Sequence, residues 1–181
     1  MTRGAVWGAV LCAALFWTTG VKFAVAQSDL DFELLKGTYA GDFAKIKGLL
    51  EKGSSPNYRC RSLTPLIVAS IRGDEEVVEL LVSKGADVSI RGENGPTALM
   101  EASLRGSGGI VKLLLEKGAD VNAKATFVWT QVRITANSCK ELDDAGTMEK
   151  LCFKEECCMT ALCVASDPAV RQMLLESGGT E

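Results

Sequence analysis

The sequence predicts an all-α repeat solenoid, a stack of about four helical hairpins. Three observations carry this. Residues Thr64 to Ser89 (TPLIVASIRGDEEVVELLVSKGADVS) recur as Thr97 to Asn122 (TALMEASLRGSGGIVKLLLEKGADVN), an offset of 33 residues. A fixed period of that size marks a repeat architecture. Within each copy the apolar residues return at helical spacing, as in Val77, Val78, Leu81 and Val82. Glycines then punctuate both copies at matching places, Gly73 with Gly106 and Gly85 with Gly118.

Each predicted element has a local reason. Thr64 is suited to cap a helix, with Pro65 at the tolerated first position. Leu66, Ala69 and Ser70 share one face, and the small pair lets a neighbouring helix approach. Gly73 ends that helix in a left-handed turn. Asp74 is placed to cap the second helix, and Gly85 to stop it. A hairpin of this kind cannot bury its apolar face alone, so stacking must do it.

These residues closely resemble the ankyrin repeat, whose pattern is G-x-T-P-L-H-x-A-A-x-x-G followed by V-x-x-L-L-x-x-G-A-x-x-N. Thr64-Pro65-Leu66 match in one copy, and Thr97, Leu99, Ala102 and Asn122 in the other. The resemblance implies β-hairpin fingers between repeats and a binding scaffold used for unrelated tasks.

Repeats are expected at about 28–57, 58–90, 91–123 and 159–181. The first is degenerate, because Phe32 stands where the threonine belongs. Leu34, the Gly41-Asp42 turn, Ile46, Leu49, Leu50 and Asn57 keep the register. Lys45 and Lys47 suit a terminal repeat with one wet face. After Asn122 the next threonine should fall near 130 but arrives at Thr160. An insertion over 124–158 is therefore expected to extend the third finger. Within it, Thr126 to Ile134 reads as a strand and 140–154 as a short helix. In the last repeat the turn is three residues shorter, with Asp167-Pro168 as the helix cap.

Residues 1–26 read as a secretory signal peptide, with Arg3 near the start, an uncharged run from Ala5 to Trp17, and Ala24-Val25-Ala26 before Gln27. An uncleaved membrane anchor is the alternative, though the 13-residue run is short for a span. The mature domain would be 27–181, free of the membrane and monomeric. Cleavage removes Arg3 and Lys22 and no acid, so the net charge becomes more negative than −3. No Lys/Arg cluster points to nucleic acid.

Six of the seven cysteines follow the leader: Cys60, Cys139, Cys152, Cys157, Cys158 and Cys163. An even number in an exported chain reads as a disulfide framework. Cys139–Cys152 is the favoured bridge within the insertion, with Cys60 tied to the insertion or free. A zinc site from Cys152, Cys157, Cys158 and Cys163 lacks the usual C-x2-C knuckle, and no C-x-x-C exists for redox work. The chain has no histidine, which removes His-based nucleophile pairs and His-ligated metals. The acids Asp74, Glu75 and Glu76 open a helix, where they suit its dipole. No cofactor, metal or catalytic set is expected.

The resemblance places the partner-binding surface on the concave face and finger tips: Tyr39, Ile71, Arg72, Leu104 and Arg105 on the face, and Arg61, Leu63, Glu93 and Asn94 at the tips. Trp129 of the insertion is a contact or part of a small core. The function implied is a non-catalytic, exported protein-binding module, as exported bacterial ankyrin proteins make plausible for the periplasm or cell exterior. The alternative is a redox or metal-handling accessory protein that uses the cysteine-rich insertion.

Overall fold

The computed structural model describes residues 29–60, 63–91, 95–126, 131–135, 138–142 and 158–180. The signal-peptide expectation falls outside these residues, and so do Arg61, Glu93, Asn94, Trp129, Cys152 and Cys157. Among the described residues no helix is long and apolar enough to cross a membrane.

Helices come in consecutive pairs. Helix α1 covers 29–40 and α2 Phe43–Glu51. They are followed by α3 Pro65–Arg72 and α4 Glu75–Ser83, then α5 Ala98–Arg105 and α6 Gly108–Glu116. After the excursion come α7 Ala161–Val164 and α8 Pro168–Glu176. First helices pack on first helices, α3 on α5 and α5 on α7, while second helices form the other layer.

The caps are those the sequence predicts. Thr64 Oγ1 accepts from Ile67 N at 3.2 Å and Thr97 Oγ1 from Met100 N at 3.3 Å. Thr160 does the same for Cys163 N at 3.4 Å. Gly73 and Gly106 end their helices at φ 77° and 75°. Asp167 accepts from Ala169 N and Val170 N, with Pro168 at the first helical position. Asp74 departs from expectation and makes no side-chain cap. Its carboxylate is taken at 2.5 Å by Arg72 Nε, a charged donor that outcompetes a neutral amide.

The core repeats with the sequence. Leu66, Leu99 and Leu162 are buried in the first-helix layer, and Leu81, Leu114 and Leu174 in the second. At the position where the family carries a second alanine, Thr38, Ser70 and Ser103 each donate a hydroxyl to the carbonyl four residues back, at 2.9, 2.9 and 2.7 Å. That bond satisfies a buried polar group without spoiling the close helix approach.

At the excursion, β1 (Ala125–Thr126) pairs antiparallel with β4 (Cys158–Met159). The two arms therefore leave and return side by side, which sets Thr160 in register to cap α7. Further out, β2 (Gln131–Thr135) pairs with β3 (Ser138–Leu142). Of the expected strand over 126–134, Thr126 lies in β1 and 131–134 in β2, while 127–130 lie outside the described residues. The expected helix over 140–154 is corrected at its start, because Lys140, Glu141 and Leu142 are strand. Thr135 pairs with Ser138 across a two-residue connection, and a tight hairpin of that length gives the backbone an immediate partner. The rest of that expectation lies outside the described residues.

Candidate binding face

The concave-face positions fall at equivalent points of successive pairs. Tyr39, Ile71 and Leu104 each stand two residues before the turn glycine, at the C-terminal ends of α1, α3 and α5. Tyr39 is 47 % exposed, while Ile71 and Leu104 are half-buried. Phe43, at the start of α2, adds a second exposed aromatic ring.

Arg72 and Arg105 recur at the repeat period for a reason that the sequence reading missed. Arg72 Nη1 donates to Tyr39 O at 2.9 Å, and Arg105 donates to Ile71 O. In the last pair Ser166 Oγ donates to Leu104 O at 3.0 Å. The first helices α1, α3 and α5 therefore each have a terminal carbonyl closed by the next pair, and such carbonyls have no partner within their own helix. The recurrence of both arginines 33 residues apart is the signal that could have found this role. Gly41 (φ 75°) lies directly under the Arg72 guanidinium, where a Cβ would collide.

Leu63, expected at a finger tip, is corrected: it is buried and belongs to the core. Cys60 and Leu63 exchange both backbone hydrogen bonds at 3.0 Å, and the residue before a helix cap commonly packs inward on the first turns. Cys60 is disulfide-bonded. Cys163 is corrected from disulfide candidate to free thiol, and it is exposed. The Thr160 cap fixes the first turn of α7 and holds the sulfur toward solvent, with Thr160 Oγ1 3.4 Å from Sγ. Of Cys139 and Cys158 only the backbone is described. Among the described residues no cluster of three metal-ligating side chains occurs.

One buried acid was also missed. Glu101 in α5 is 5 % exposed, and its equivalents in the flanking pairs are Val68 and Val164. Burial raises its carboxyl to about 7, against an opposing pull from Arg105. By contrast Asp87 is lowered by hydrogen bonds from the Ser89 side chain and backbone.

Asparagines brace the other edge of the stack. Asn57 Nδ2 donates to Gly85 O at 3.0 Å and its Oδ1 accepts from Asp87 N at 2.8 Å. Asn122 repeats the motif on the last pair, donating to Gly178 O at 3.0 Å and accepting from Thr180 N at 2.9 Å.

The family model for ankyrin repeats, in three copies, matches residues 34–125, just over half of the chain. The chain belongs to the ankyrin-repeat family. The 2-5A-dependent ribonuclease of Mus musculus is similar to it, 43% identical over 70 residues. That match covers 37% of this chain and 9% of the ribonuclease. Ankyrin repeats are generally protein–protein interaction modules, and the family is typically non-catalytic.

Proposed function

We propose that this ankyrin protein is an exported, non-catalytic module that binds a protein partner through its concave face and finger tips. The four helix pairs are read as four repeats, at about 28–57, 58–90, 91–123 and 159–181, with 1–26 as a cleaved leader. The segment 124–158 is read as a cysteine-rich extension of the third finger. The observation that carries the binding reading is the row Tyr39, Ile71 and Leu104. One apolar side chain stands at the same place in three successive pairs, and the outermost is an exposed aromatic. Tyrosine flanked by aliphatics is the composition of an interface centre.

The arginines change role within this reading. Arg72 and Arg105 join neighbouring repeats and frame the apolar row, so the row supplies the contacts and the arginines its rigidity. The test is capture from an envelope fraction on immobilised protein beginning at Gln27, with the retained protein identified and its affinity measured. Tyr39→Ala and Leu104→Arg should each weaken that affinity by tenfold or more, with helix content unchanged. Unaltered affinity in both variants would move the binding surface elsewhere.

A further inference from the structure

The asparagine brace is present at two of the three seams between successive helix pairs. Asn57, Ser89 and Asn122 are equivalent by register, so the middle seam carries serine instead. Ser89 turns back on its own loop, where its amide and hydroxyl donate to Asp87 Oδ1 at 2.8 and 2.6 Å. By register, Gly118 O and Asp120 N correspond to Gly85 O with Asp87 N, and to Gly178 O with Thr180 N. Each of those other two pairs holds an asparagine carboxamide. Among the described residues, Gly118 O and Asp120 N have no hydrogen-bond partner. A cavity of about 350 Å³ lies at this seam, lined among others by Ser89, Asp120, Thr97 and Lys124.

We propose that Gly118 O and Asp120 N form a binding site for a primary carboxamide, the side chain of an asparagine or glutamine on a partner protein. The source of the carboxamide rests on the protein-binding reading above, whereas the site itself does not. The chemistry is complementary and directional. A carboxamide donates from nitrogen to the Gly118 carbonyl and accepts at oxygen from the Asp120 amide, as Asn57 and Asn122 do one seam away on either side. A carboxylate cannot follow, because it has no donor for Gly118 O and lies beside Asp120. Gly118 and Asp120 are exposed, so water competes at both atoms, and the preference over a carboxylate comes from the missing donor together with repulsion by the Asp120 side chain.

The experiment is an amide NMR titration of the protein beginning at Gln27. The probes are N-acetyl-asparagine N-methylamide, the matching aspartate derivative, and acetamide as a free small amide. The asparagine probe should shift the Asp120 amide saturably, and the aspartate probe at least tenfold more weakly. Acetamide binding as tightly as the asparagine probe would overturn the assignment to a protein side chain. Ser89→Asn supplies the carboxamide from within the chain and should abolish the probe response while raising the melting temperature. Ser89→Ala removes the hydroxyl without supplying a carboxamide and should keep the response. No saturable shift in the parent, or an equal shift in Ser89→Asn, would overturn the site. A response to the probe in a protein that captures no partner would sink the protein-binding reading and leave the site standing.

Discussion

Glu101 is a residue at which the repeat pattern is broken chemically, since its equivalents in the two flanking pairs are both valine. Its folded value of about 7 lies above the reference of 4.5. The folded protein therefore holds a proton that the unfolded chain releases. The associated stability is fully present below pH 4.5 and is lost as pH rises through about 7. Melting followed by circular dichroism should show a stability that falls between those limits and levels above them. Glu101→Gln should flatten that slope and be more stable than the parent at pH 8, by up to about 3 kcal/mol. A variant with the parent's slope would place the titration on another group. Nothing in the sequence marks Glu101 as buried, because charge is ordinarily read as solvent-facing. Only the stack, which closes over α5 from both sides, reveals it.

At the scale of the helix, Leu81 and Leu114 are fully buried equivalents in α4 and α6. Truncating either to alanine should cost about 2–5 kcal/mol in urea unfolding. A loss under about 1 kcal/mol would contradict their place between the layers. Thr97→Ala removes the cap of α5 and should cost about 1 kcal/mol by the same measurement. These elements were legible in the sequence because each has a local cause: a cap, a left-handed glycine, a period-3.6 stripe. Local causes survive in a single chain. The candidate face was less legible, since Arg72 and Arg105 act on backbone atoms of the neighbouring pair, as Asn57 and Asn122 do at the other edge. The two arginines suggest partner contacts by side-chain type until the neighbour's carbonyl is in view. Leu63 and Cys163 were misplaced for the same reason, because position within a repeat does not say which way a turn aims its side chain. The start of the expected 140–154 helix gave way at Lys140–Leu142, where a nearby strand offered its backbone first.

For the whole molecule, α7 docks on α5, and β1 with β4 closes the base of the excursion. The helix stack is thus continuous past the segment that interrupts it. Replacing 127–157 with a short turn should keep the helical circular dichroism signal, because Asn122, Thr160 and Ser166 all remain. Loss of that signal would make the segment part of the core. Under the exported reading, mass spectrometry of the native protein should find Gln27 as the first residue, and a chain retaining Met1 would contradict it.

The Asn122 brace has a consequence for how the chain assembles. Asn57 reaches a carbonyl 28 positions ahead and Asn122 one 56 positions ahead, with the same 3.0 Å bond at the end. The separation has doubled. For a flexible segment each doubling adds only about 0.6 kcal/mol of closure entropy, less than the core residues Leu162, Val170 and Leu174 recover on docking. The last pair therefore tolerates its distance from the rest at equilibrium, and the effect falls on rate. The first three pairs form from near neighbours in the chain, and the fourth must wait for a longer search. During that interval the C-terminal face of α5 and α6 stands bare, and a chain growing from its N-terminus meets that interval last.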